Sequence, residues 1–102
     1  MGKINRFEDI ICWQKARELV KKIYSITSKE PFRRDYDLKS QILRASYSIM
    51  LNISEGFGRK SHKDFKNFLF YSHGSANEIQ SALYIAFDQK YIDETGFNNE
   101  LN

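Results

Sequence analysis

Apolar positions fall into three long helical stripes along this chain, separated by short polar breaks. The clearest stripe is the middle one, where Leu38, Ile42, Ala45, Ile49 and Ile53 recur every three or four residues. Its flanks are small or polar: Ser46, Ser48, Asn52 and Ser54. Such side chains let neighbouring helices approach closely, and they need hydrogen-bond partners. The pattern predicts a helix over 38–56. Gly56-Phe57-Gly58 is expected to stop it, because glycine takes the left-handed conformation at a helix C-terminus without steric cost. Upstream, Ile11, Ala16, Leu19, Val20, Ile23 and Ile26 predict a helix over about 10–28, with Trp13 near its start. Glu18 and Lys22 are spaced as an i,i+4 ion pair on that helix. Pro31 closes this region, and 29–36 reads as a charged loop.

Ser61 is placed to cap a third helix over 61–91, with Asp64 three residues later as in a capping box. Phe65, Phe68, Leu69, Ser72, Ala76, Ile79, Leu83, Ala86 and Phe87 form its stripe. Residues 93–102 leave room for a stub of a fourth helix, of at most about two turns; Gly96 and Asn98-Asn99 weaken it. The short connection makes the second and third helices an antiparallel hairpin. Asn52 is then expected near Phe65, Ile49 near Phe68, and Ala45 near Ser72 and Ala76. Arg44 falls opposite Glu78, which predicts a structural ion pair rather than acid–base chemistry. Ser48 and Asn52, one turn apart, are expected to bond to each other or to a neighbouring helix. Glu55 is read with them as a structural polar residue. The fold class is all-α: an up-and-down antiparallel helical bundle of the four-helix type, with its fourth helix short or missing. At 102 residues it is one domain, 1–102.

Composition agrees with this and adds charge. One proline and five glycines leave long stretches without a helix breaker. Cys12 is the only cysteine, which excludes an intrachain disulfide and suits a reducing, cytoplasmic compartment. The N-terminus lacks the apolar run of a signal peptide, and no stretch approaches the roughly 20 apolar residues of a membrane span. The net charge of +3 is uneven: residues 1–75 hold 15 Lys or Arg against 8 acids (+7), and 76–102 hold one Lys against five acids (−4). A basic body fits an anionic partner.

The basic residues concentrate after the second helix, where Arg59, Lys60, Lys63 and Lys66 surround His62 with only Asp64 opposing them. They sit at a helix N-terminus, where free N–H groups and the dipole also favour anions. Lys3 and Arg6 are expected at the same end of the bundle. Two readings stand: a solvated charged turn, or a phosphate-contacting patch. Gly56-Phe57-Gly58-Arg59-Lys60-Ser61 is not a nucleotide phosphate loop, because that loop follows a strand and has a different glycine spacing. His62 and His73, eleven residues apart, do not make a metal site with one distant cysteine. Cys12 has no His–Asn pattern to make it a nucleophile. Tyr24, Tyr36, Tyr47, Tyr71, Tyr84 and Tyr91 could stack on bases, but their scatter suits cover for the core or a subunit interface. No catalytic constellation, metal site or cofactor site is expected.

Several segments together resemble a known family, the four-helix bundle proteins encoded in intervening sequences of bacterial 23S rRNA genes. They are Phe7-Glu8-Asp9-Ile10, Trp13-Gln14-Lys15-Ala16, the run from Gln41 to Gly56, Arg59-Lys60-Ser61, Asp64-Phe65, Phe68-Leu69 and Gly74-Ser75-Ala76-Asn77-Glu78. The likeness covers about residues 7–91. It implies an up-and-down helical bundle that assembles as a ring-like homo-oligomer, commonly a pentamer, with no established enzymatic activity. The accessory subunit of diversity-generating retroelements is similar; it binds nucleic acid and a reverse transcriptase. RNA or DNA, a reverse transcriptase and further copies of the chain are therefore the expected partners. Family members carry a long fourth helix where this chain has the stub, so the apolar groove left by three helices is expected to be covered by another subunit or to stay partly exposed. The resulting expectation is a non-enzymatic oligomer that binds nucleic acid through its basic surface. The alternative is a structural or protein-interaction module whose basic residues only solubilise it.

Overall fold

Three helices make up most of the described residues, 4–93, in the computed structural model. They are α1 (Ile11–Thr27), α2 (Tyr36–Gly58) and α3 (His62–Asp88), with single 3-10 turns at Phe7–Asp9 and Phe32–Arg34 and no strand among the described residues. Helix α2 is the middle element: α1 and α3 both pack along it and meet each other far less. The expected stub at 93–102 lies outside the described residues apart from Asp93, so three helices stand where the sequence suggested a four-helix type.

Side-chain caps start α2 and α3, whereas α1 is held to the preceding turn by a different bond. The Gln14 side chain donates to the Glu8 carbonyl at 2.9 Å, tying α1 to the turn before it. The Asp35 carboxylate accepts from the Leu38 amide at 3.1 Å and caps α2. The Ser61 hydroxyl accepts from the Asp64 amide at 3.3 Å and caps α3 as expected. The pair expected between Glu18 and Lys22 is instead Glu18 with Lys21, at 3.8 Å and exposed.

Helix C-termini differ more from expectation. Helix α2 runs through Gly56 to Gly58, and it is Lys60 that takes a left-handed backbone, φ 57°. Helix α3 ends at Asp88 rather than 91, with Lys90 left-handed at φ 65°. There the Lys90 amide donates to the Phe87 carbonyl (2.9 Å) and the Tyr91 amide to that of Ala86 (2.8 Å). This is the paired pattern of a Schellman ending. A lysine is strained there relative to glycine, but its ammonium complements the negative end of the helix dipole.

Gly56 serves close packing instead of termination. A Cβ built on it would lie 2.7 Å from the Phe68 Cβ and 3.1 Å from the Phe65 ring. Two aromatics of α3 thus close over bare backbone. Gly56→Ala is expected to cost about 1–3 kcal/mol through overpacking, more than the helix propensity it gains. Gly58→Ala, with nothing within 4 Å, is expected to gain about 0.5–1 kcal/mol. Urea unfolding midpoints that rise together in the two variants would refute the close approach.

The core has two parts. At one end, Ile23, Phe32, Ile42, Leu83 and Ala86 form the larger cluster. At the other, Ile10, Ala16 and Ile53 are joined by Phe7, Trp13, Phe57 and Phe65. These pairings make α1 antiparallel to α2. Bonds from Gln41 to Glu78 (3.0 Å) and from Ser72 to the Ile49 carbonyl (3.2 Å) make α2 antiparallel to α3. Two other buried hydroxyls are satisfied within their own helices: Thr27 donates to the Ile23 carbonyl (2.7 Å) and Ser46 to that of Leu43 (2.8 Å). The molecule is elongated, 44 × 21 × 18 Å, with its basic turn at the end of the smaller cluster.

Candidate nucleic-acid interface

The α2–α3 turn presents its basic residues unequally. Arg59 is tied down on both sides: its guanidinium meets the Glu55 carboxylate at 3.1 Å and lies 5.5 Å from the centre of the Phe68 ring. Glu55 is therefore the local counter-charge of the turn. Lys60, Lys63 and Lys66 are exposed and have no ion pair within 4 Å among the described residues. Lys63 and Lys66 lie about 60° apart on α3, by a 100° step per residue, and both point away from the buried face. The first amides of α3 open toward the same turn.

Arg6 does lie at this end, since Phe7 and Ile10 pack with Phe57 and Phe65 in the smaller cluster. Its charge is not free. The guanidinium donates to Glu8 at 2.8 Å, and that bond holds the Glu8 carboxyl below the usual carboxylate range. Lys3 lies outside the described residues. The patch thus reduces to three unpaired lysines, with Arg59 held back as a bridge between Glu55 and Phe68.

The structural polar residues divide. Asn52 donates to the Ser48 carbonyl (2.8 Å) and hydroxyl (3.0 Å), and Ser75 donates to the Ser48 hydroxyl across the hairpin (3.1 Å). That chain of small polar groups fits the expectation for Ser48 and Asn52. The expected Arg44–Glu78 pair does not form. Glu78 accepts from Gln41 instead, and both Arg44 and Glu78 are exposed. The register is right but the face is wrong: Arg44 lies about 150° round the helix from the mean direction of Ile42, Ala45, Ile49 and Ile53. Gln41, on the edge facing α3, reaches Glu78 first.

Two concave regions flank these elements. One, about 540 Å³, lies at the far end between Pro31, Arg34, Asp35, Tyr36, Asp37 and Tyr91. Its two carboxylates do not suit an anion, and Arg34 is paired with Glu30 at 3.0 Å. The other is a trough of about 600 Å³ along the outer side of α3, lined by Phe70, Tyr71, Gly74, Ser75, Asn77, Glu78 and Ser81. Phe70 was not singled out from the sequence. The available signal was its position: it falls opposite Ser72 and Ile79 on the helical wheel, where an ordinary surface carries a polar residue. Among the described residues no group of three or more His, Cys, Asp or Glu side chains is placed to hold a metal, and no helix is long and apolar enough to cross a membrane.

The family model described as 23S rRNA-intervening sequence protein matches residues 8–102. The chain belongs to this family. The match spans the basic turn, the glycine contact and the whole helical hairpin, so these features lie inside the family's own domain. Comparison with curated proteins finds no match. The segments that suggested the 23S rRNA-intervening sequence family map onto identifiable contacts. Phe7 and Trp13 meet edge to face at 5.2 Å, Gly56 lies against Phe65 and Phe68, and Ser75 bonds across the hairpin to Ser48.

Proposed function

We propose that this chain is a non-enzymatic homo-oligomer that binds nucleic acid through the basic α2–α3 turn. The observation that carries the reading is the grouping of Lys60, Lys63 and Lys66, which have no ion pair among the described residues, at the Ser61-capped N-terminus of α3. Single exposed lysines without an ion pair among the described residues also occur elsewhere, Lys22 and Lys29 among them, but at this turn three fall together beside the Arg59–Glu55 pair, and Lys60 keeps a backbone conformation that glycine would adopt more easily. Such an arrangement suits phosphate oxygens, which read no sequence by themselves.

Self-association is supported by apolar side chains left on outer faces. Leu51 is 61% exposed, with Tyr47 one turn before it on α2, and Ile11 is exposed on α1. Copies of the turn repeated around an assembly would raise a weak contact through avidity. The test is a salt titration of binding to a structured RNA, paired with light scattering after size exclusion. Three phosphate contacts per subunit give a slope of about −2.7 in log affinity against log salt for a duplex. A flat salt response, or no binding at low salt, would overturn the nucleic-acid reading. A monomer near 12.1 kDa would overturn the oligomer.

A further inference from the structure

The outer face of α3 continues directly from the basic turn. Lys63 and Lys66 are followed, one to two turns on, by Phe70 and Tyr71, which are 75% and 60% exposed. Two adjacent exposed aromatics are costly to leave in water without a use. The Tyr71 ring is braced edge-on by Phe68 at 5.9 Å, and Phe68 in turn lies under Arg59. The aromatic surface is thus mechanically connected to the turn and partly pre-ordered. Beyond the rings the helix drops to Gly74, where a Cβ would meet nothing within 4 Å. The trough there is walled by the rings on one side and by Asn77, Glu78 and Ser81 on the other.

We propose that this face is a stacking platform for the unpaired bases of a single-stranded nucleic acid. Phe70 and Tyr71 take the bases, Lys63 and Lys66 take the phosphates, and Glu78 accepts a hydrogen bond from an exocyclic amino group. This rests on the nucleic-acid reading of the basic turn and adds to it the kind of strand and the bases preferred. Three arguments select this occupant. Bases stack on aromatic rings with little regard to sequence, but only when unpaired. The charge is graded along the face: lysines at the turn, then rings, then a carboxylate, as a phosphate-to-base direction requires. Finally, Glu78 uses one oxygen to accept from Gln41 and leaves the other with no hydrogen-bond partner. An ionised carboxylate only accepts, so it favours bases carrying an amino group over uracil.

The experiment compares labelled oligocytidylate, oligouridylate and a blunt RNA duplex of equal length, each titrated against the full chain at low salt. The wild type is expected to prefer the single strand to the duplex and oligocytidylate to oligouridylate. Phe70→Ala should lose about 5- to 150-fold for the single strand and little for the duplex. Its salt slope should stay that of the wild type, because no charge is removed. Phe70→Trp should retain single-strand affinity, and Glu78→Gln should erase the preference for cytidylate while keeping the bond to Gln41. If Phe70→Ala binds single strands as the wild type does, the platform is wrong while the basic turn stands on its salt dependence. If the wild type binds neither strand form, both readings fail together. If Phe70→Ala lowers the subunit number, the face is a contact between copies of the chain and the platform is overturned.

Discussion

Reversing three charges at once, in Lys60→Glu/Lys63→Glu/Lys66→Glu, should reduce binding to structured RNA or duplex DNA at low salt by more than about 100-fold. The estimate follows from counterion release. Each phosphate contact contributes about 0.9 to the salt slope, so removing three takes away about 2.7. Reversal does more than remove contacts, since each glutamate repels the phosphate its lysine attracted. Arg59 is left in place because its charge is already shared with Glu55 and its guanidinium lies over the Phe68 ring. The fold should tolerate the change. Glutamate at 63 and 66 complements the positive end of α3, and only glutamate at 60, after the C-terminus of α2, opposes a dipole, at about 0.3–1 kcal/mol.

A control separates a local site from the field of the whole molecule. Lys22→Glu/Lys29→Glu/Arg44→Glu changes the net charge equally, from +3 to −3, on exposed positions away from the turn. It should weaken binding several-fold less than the turn variant. Circular dichroism should show unchanged helicity in both. Equal losses in the two variants would mean that net charge governs binding, and the turn would lose its claim. Full retention in the turn variant would remove the interface outright.

Much of this structure was legible because it rests on period and capping, which are local. The stripe of α2, most of those of α1 and α3, the Ser61 cap and the Ser48–Asn52 bond follow from spacing alone, whereas Ile11 and Leu69, placed in the stripes by the same spacing, are exposed. What escaped depends on direction or distance. Arg44 and Glu78 were paired by their distance from the turn, which fixes register but not the side of the helix from which a side chain leaves. Gly56 was read as a stop because glycine commonly ends helices; its use against Phe65 and Phe68 is visible only once α3 is in place. The three lysines were identified as a group, but their separation from Arg59 and Arg6 needed the positions of Glu55 and Glu8. Phe70 is not marked by the pattern, and Gly74 stands out only within the family-like segment 74–78, since a trough on one helix face leaves no period in the sequence.

Phe32 is the largest such case, and its removal should be the most damaging single change to stability. In sequence it is one aromatic between Pro31 and Arg33-Arg34-Asp35, a segment that reads as a charged loop. In the structure it has no exposed surface and sits in a 3-10 turn that drives its ring into the larger core cluster with Ile23, Ile42 and Leu83. The Tyr91 ring stacks on it at 5.0 Å, and the Tyr91 hydroxyl donates to the Asp35 carboxylate at 2.9 Å, a bond that pushes that hydroxyl above the usual tyrosine range. One side chain therefore fixes the α1–α2 connection and the chain that follows α3. Phe32→Ala is expected to lose about 3–5 kcal/mol, the cost of a buried aromatic and the cavity it leaves. That is a large share of the roughly 5–15 kcal/mol available to a domain of this size. Tyr91→Phe, which keeps the stacking and removes only the hydroxyl, should lose no more than about 1.5 kcal/mol. Urea unfolding followed by circular dichroism measures both. The folded fraction of Phe32→Ala should still bind nucleic acid as the wild type does, because the cavity opens at the end opposite the basic turn. A loss below about 1 kcal/mol would mean that the connection re-packs freely around the gap, and Phe32 would then be filler rather than the residue that ties the α1–α2 connection to Tyr91 and the larger core cluster.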